Sequence, residues 1–340
     1  LTVPERAGGP GGGLREAAEV IRELGAACGS TAMIVTMRYT AIAALTTANA
    51  KDVLAEITAG RHLSTLAFSE TGSAVTSGHR SAPPRPSMTP EKGGPDGTVQ
   101  LDARKSWVTS AGQADSYVWS SRPLAADGPM TLWLVPRGAE GLTVAGSFDG
   151  LGLRGNASAP MTADGVRIPH DAMLGDDGAG LDLAMAAVLP VFLIGNASMS
   201  AGLMRRLADE TAAHLRRTRL EHLGQSLAQQ ERPRAGLARL RIEADRAWAH
   251  IVDTLDAVEE GRPDAQLLVL EVKAAAGEAA ADAADLALRA CGGAAFRKES
   301  PVERLFRDSR AARVMAPTTD ALRDFIGRAL CDLPLLGSVA

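Results

Sequence analysis

The sequence has 340 residues, of which 46% are hydrophobic, 22% charged and only 4% aromatic, with a formal net charge of −4. The apolar share is ample for a core, which excludes a disordered or coiled-coil chain, and the length suits two domains or one large multi-layer unit. Lys and Arg are nowhere concentrated with interleaved aromatics, so no nucleic-acid partner is expected, and three cysteines without Cys-x-x-Cys spacing suit a reducing cytoplasm rather than a disulfide framework or a metal site.

The chain opens at Leu1 on a Pro- and Gly-rich stretch without a signal peptide, so preceding residues are expected. From Leu14 to Gly60 the pattern is helical. Leu14, Ala17, Ala18, Ile21 and Leu24 share one face, CGSTAMIVTM continues as a buried apolar helix, and Gly60 is a C-terminal stop. At Leu63 the period changes. LSTLAFSETG reads as a strand entering a Gly turn, and Ser77–Gly97 as a long loop. The runs TVQLDARKSWVTSAG, DSYVWSS, MTLWLVPRG, LTVAGSF and MTADGVRIP are separated by Gly, Asp or Pro, which predicts a small antiparallel barrel or sandwich.

From Gly180 the pattern is helical again. The candidates are Leu181–Leu220, Pro233–Glu259, Asp264–Ala290, Pro301–Met315 and Thr319–Leu330, and their short links predict an antiparallel bundle. The uncharged run Ala184–Met204 is long enough to span a bilayer. Pro190, Gly195, Asn196, Ser198 and Ser200 punctuate it and no aromatic belt flanks it, so a helix buried on all sides is expected, and no membrane. The fold class is α+β and multi-layer: a helical segment over residues 1–62, a β-domain over 63–178 and a helical bundle over 179–340.

Three places offer chemistry. In KSWVTSAG, strand alternation puts Lys105, Trp107 and Thr109 on one face and Ser106 and Val108 on the other. Trp107 beside a hydroxyl suits a flat aromatic cofactor, while the plainer reading makes Trp107 the core filler of the barrel. In LAFSETGS, Ser69 and the Gly72 turn can cradle a polar ligand or simply cap a hairpin. In CGGAAFRKESPVERLFRDSRAARVMAPTTDALRDF, a Gly-Gly turn and a Pro break precede a helix opening on Thr318, Thr319 and Asp320, and a helix N-terminus with hydroxyls can bind an anion. The six histidines include no metal pair; Arg219, Glu221 and His222 read as surface charge on one helix.

Taken in order, these segments resemble the acyl-CoA dehydrogenase family. CGSTAMIVTM resembles the helix beside the acyl pocket, LAFSETGS the flavin loop, KSWVTSAGQADSYV the Trp-x-Thr strand, LGLRGNASAPMTADGVRIP the exit of the β-domain, and CGGAAFRKESPVERLFRDSRA the Gly-Gly segment and Arg-Asp helix. The resemblance covers nearly the whole chain, apart from the family's first helices. It implies N-terminal helices, a central β-barrel domain and a C-terminal four-helix bundle, with FAD between the β-domain and the bundle, in a homodimer or homotetramer. Carried over by position, Phe68 and Ser69 would meet the flavin ring, Trp107 would stack near it and Thr109 would bond near its reactive nitrogen. Gly292 and Gly293 would admit the adenosine half of a partner's FAD, and Thr318 and Asp320 would lie by the pyrophosphate or adenosine.

Two departures stand out. The family abstracts an α-proton with a Glu before a Gly-Thr, and here Ala316 and Pro317 take those positions. Members that carry the Glu at the first bundle helix have it where Ala184 lies. Neither alanine accepts a proton, so the catalytic residue is unassigned. Three readings remain open: oxidation of an acyl thioester with a relocated base, Glu70 or a residue of the expected preceding segment, passing electrons to an electron-transfer flavoprotein; a monooxygenase using reduced FMN from a flavin reductase; and a non-catalytic flavoprotein subunit. The flavin loop also has Thr71 for Pro.

Overall fold

Charged residues alternating with small apolar ones make α1 (Leu14–Ala27) amphipathic, and Ala17, Ala18 and Ile21 are its buried stripe. In α2 (Gly29–Thr47) apolar residues go all round, and the hydroxyl of Thr40 is satisfied by the carbonyl of Thr36. A short α3 (Lys51–Thr58) buries Leu54 and Ile57. The structure, a computed structural model, describes residues 1–70 and 97–335. The expected Gly72 turn, Thr71 and all of the expected 77–97 loop but Gly97 lie outside the described residues.

The described chain divides into two compact units. The first comprises Leu1–Ala17, Met33–Asp149 and Arg154–Phe192, the second Ala18–Ala32, Gly150–Leu153 and Leu193–Ala340. In the first unit, β1 (Ser64–Ala67), β3 (Ser116–Ser121), β4 (Thr131–Pro136) and β7 (Met173–Leu174) form one sheet in the order β1-β3-β4-β7, and β2 (Thr98–Val108), β6 (Ala159–Pro169) and β5 (Leu142–Val144) form another in the order β2-β6-β5. Trp119, Trp133, Leu101, Val108 and Met161 pack into one core drawn from both sheets.

The sheet is not wholly antiparallel as the short strands predict. β1 runs parallel to β3, pairing Ser64 with Ser116 and Ala67 with Trp119. The strand between them in sequence, β2, belongs to the other sheet, and this long crossover brings the chain back in the same direction. Polar side chains inside this sheet find one another: Ser64 Oγ and Ser116 Oγ are 2.8 Å apart, and Trp133 Nε1 donates to Ser121 Oγ at 2.8 Å.

The helical half begins with α4 (Gly180–Leu183), a π-helical stretch (Ala184–Val188) and α5 (Leu189–Arg217). Together, Gly180–Arg217 is long and apolar enough to cross a membrane. Yet every residue from Leu193 to Met204 is buried in the protein, and the hydroxyls of Ser198 and Ser200 donate to carbonyls four residues back. The helix stops at Arg217. Arg219–Leu220 forms β8, paired with β9 (Gln225–Ser226) around Gly224 at φ +62°. Arg219, Glu221 and His222 therefore lie on a tight hairpin and not on one helix; the αL residue Gly224 makes the reversal possible.

The second unit continues with α6 (Glu231–Glu260), α7 (Ala265–Cys291), α8 (Pro301–Ser309), α9 (Ala311–Val314) and α10 (Thr319–Leu330), close to the expected spans except that Pro301–Met315 breaks at Arg310. Helix α7 packs against α6, α8, α9 and α10, with a nearly continuous face of buried Ala and Gly. Small residues also set the crossing of α1 and α5. A Cβ on Gly202 would lie 2.1 Å from the Arg22 carbonyl oxygen, and one on Gly25 would lie 2.7 Å from that of Met199. Backbone cannot yield as a flexible side chain does, so Gly202→Ala is expected to destabilise by about 1–3 kcal/mol, read as a lower urea midpoint with unchanged m; an unaltered midpoint would refute this packing.

Candidate functional site

In the first unit the site residues are organised by a lysine. Lys105 is fully buried in β2, and its ammonium donates to Glu70 Oε1 at 2.6 Å, to the Ser120 carbonyl at 2.9 Å and to Ser120 Oγ at 2.8 Å, with the Trp119 ring 5.3 Å away. Burial lowers its pKa to about 8 against the pull of Glu70. All three donor positions of the ammonium are occupied.

Phe68, Ser69 and Glu70 continue from β1 and are half-buried. The Ser69 carbonyl accepts from the Ser106 N–H at 2.9 Å, and Glu70 bridges to Lys105. The expected shared face of Lys105, Trp107 and Thr109 is overturned here. Lys105 pairs with Met161 and Val108 with Ala159, so three steps along β2 face two along β6. That bulge reverses the alternation: Lys105 and Val108 point inward, and Trp107 is 62% exposed rather than filling the core. The indole meets Phe148 edge-on, with centroids 6.1 Å apart. Thr109 is buried, with Oγ1 3.2 Å from Ser158 Oγ.

In the second unit, α7 ends at Gly292, whose φ +60° and ψ −147° belong to glycine alone. Gly292 and Gly293 are exposed with open space where a Cβ would stand. Thr318 caps α10, its Oγ1 accepting from the Ala321 N–H at 3.3 Å. Asp320 is exposed, 3.5 Å from Arg323. Phe68, Ser69, Trp107 and Thr109 thus share one unit, and Gly292, Gly293, Thr318 and Asp320 share the other. Ala184 is buried in the π-helical stretch, and Ala316 is exposed. Among the described residues no cluster of His, Cys, Asp or Glu is placed to hold a metal ion.

A second buried lysine escapes sequence reasoning. Lys273 of α7 is fully buried and donates to the Met315 carbonyl at 2.8 Å and to that of Pro317, the two residues flanking Ala316. Asn196 Nδ2 reaches Met315 Sδ at 3.3 Å, while its Oδ1 is buried without a protein partner. The available signal was a lone Lys in the Ala-rich run LEVKAAAG. Desolvation lowers the Lys273 pKa from its ordinary 10.5 to about 7. The folded state then holds fewer protons than the unfolded one between those values, so stability rises with pH across that window and the penalty is complete below it. Lys273→Met removes this dependence. The wild type is expected to gain on the variant by about 1.4 kcal/mol per pH unit between pH 7 and 9; parallel stability curves would contradict it.

Comparison with known proteins follows the same lines. Residues 178–331 match the family described as acyl-CoA dehydrogenase, C-terminal domain. The chain is 29% identical over 80% of its length to human mitochondrial very long-chain specific acyl-CoA dehydrogenase, of which the match spans 42%, less than half. It is 27% identical over 95% of its length to the human short-chain specific enzyme, spanning 77% of it. Its fold is similar to butyryl-CoA dehydrogenase from Megasphaera elsdenii, with a TM-score of 0.87 at 20% identity over 97% of this chain and 86% of that one. Residues 178–331 thus match the C-terminal domain of the acyl-CoA dehydrogenase family, and nearly the whole chain is similar in sequence and fold to members of that family.

Proposed function

We propose that this chain is an FAD-dependent oxidoreductase acting on an acyl thioester at a CH–CH bond, and that Ala316 stands where the usual catalytic Glu would be. Similarity to the family supports this reading, and the observation that carries it is Trp107, an indole turned out of its own core onto an open surface. The residues present suit FAD: an exposed aromatic face at Trp107, the Phe68–Ser69 segment tied to the same strand, and a glycine pair with no Cβ to bar a close approach. Bound FAD would supply the hydride acceptor. Phe68, Ser69, Trp107 and Thr109 would hold its ring, Gly292 and Gly293 would take the adenosine half of a partner subunit's FAD, and Thr318 would cap the helix facing its phosphates. Asp320 would place a carboxylate there, which opposes an anion unless Arg323 balances it. A homodimer or homotetramer, a cytoplasmic location, and the three parts 1–62, 63–178 and 179–340 belong to the same proposal.

The chain's own groups bear on the proton. The methyl group of Ala316 accepts none, and the Glu70 carboxylate is engaged by Lys105. Loss of a positioned base costs roughly a hundred- to ten-thousandfold in rate. These two facts favour a second reading, a monooxygenase on the same fold that needs no α-proton acceptor, using reduced FMN from a flavin reductase. The purified protein is expected to take up FAD and to lose its visible flavin band only slowly when an acyl-CoA is added without oxygen. A protein that binds no FAD contradicts the first reading at its root, and rapid oxygen consumption with supplied reduced FMN favours the second.

A further inference from the structure

Lys105 and Val108 are two inward anchors three residues apart on one strand. Regular alternation cannot put both inside, because positions an odd number apart face opposite ways. The extra residue of the bulge resolves the conflict, and Trp107 is the side chain it expels. Val108 is held by ordinary core packing. Lys105 is held by three hydrogen bonds that its buried ammonium cannot replace with water.

The same ammonium fixes the neighbouring segment. Glu70 is tied to Lys105 through both backbone bridge and side chain, and Ser69 to Ser106 through the backbone. We propose that Lys105 is a positioning residue: by engaging Glu70 and Ser120 it fixes both the bulge that turns Trp107 outward and the course of Phe68–Glu70, and so assembles the surface that receives the flavin ring. The cofactor part of this proposal rests on the FAD reading above; the placement of Trp107 does not.

The test uses the full chain and two variants. Lys105→Met alone takes the ammonium away from the Glu70 carboxylate and puts an apolar group beside it, whereas Lys105→Met combined with Glu70→Gln removes both charges and is expected to recover most of the thermal stability. Acrylamide quenching of Trp107, taken as the difference from a matched Trp107→Phe protein, needs no flavin. Quenching is expected to fall at least twofold in both variants, and the dissociation constant for FAD to rise at least tenfold. A double variant with wild-type quenching shows that the bulge forms without Lys105 and overturns the proposal. Altered quenching with unchanged FAD affinity overturns the cofactor half, since Trp107 then lies away from the flavin. If the wild type takes up no FAD, the FAD reading fails, and quenching still decides the role of Lys105.

Discussion

A buried ammonium group must find its hydrogen-bond acceptors inside the protein, and that requirement at Lys105 governs the local course of two chain segments. Water is excluded, so the charge is met by Glu70, by the Ser120 carbonyl and by the Ser120 hydroxyl. Strand β2 must keep Lys105 inward while Val108 also fills the core, and the bulge follows. An exposed indole is the outcome of satisfying a charge elsewhere on the strand. Exposing Trp107 forgoes the burial of a large aromatic surface, a sacrifice that makes sense where something else covers the ring.

The helical unit repeats the principle with different chemistry. Its packing relies on small residues: Gly25 and Gly202 let α1 and α5 meet backbone to backbone, and the alanines of α7 let four helices close around it. Into this apolar face is set Lys273, held by two carbonyl groups and by no carboxylate among the described residues. It secures the turn from Met315 to Pro317, immediately before the cap of α10. That turn carries Ala316, the residue on which the proposed chemistry pivots. Asp308 works similarly at another turn, its buried carboxylate accepting from the Leu153 N–H at 2.7 Å. Burial raises its pKa, while that hydrogen bond and the nearby Arg304 and Arg307 pull it back.

Much of this architecture was legible in the sequence. Strong 3.6-residue periodicity and terminal Gly or Pro located the helices to within a few residues, because those signals act locally. The run Ala184–Met204 was readable as a helical segment from its internal Pro, Gly, Asn and Ser, but burial on all sides holds only from Leu193 to Met204, and Ala186 is exposed. What stayed hidden depends on residues far apart in the chain. The parallel pairing of β1 with β3 is decided by the intervening crossover, and the bulge at Trp107 by a contact between Lys105 and Glu70, 35 positions away. Nothing local marks Lys273 as buried, because its partners lie more than forty residues on. The hairpin at Gly224 defeated helical reading because polar residues such as Arg219 and Glu221 carry no period of their own.

The central proposal is that this chain keeps a flavin-receiving framework and lacks a proton acceptor at position 316. The most direct measurement is the rate of anaerobic flavin reduction by an acyl-CoA in FAD-loaded Ala316→Glu compared with the FAD-loaded wild type. The account predicts that restoring the carboxylate accelerates reduction by at least about a hundredfold, the usual worth of a positioned base. Equal rates in the two proteins, with FAD bound equally well in both, would contradict it.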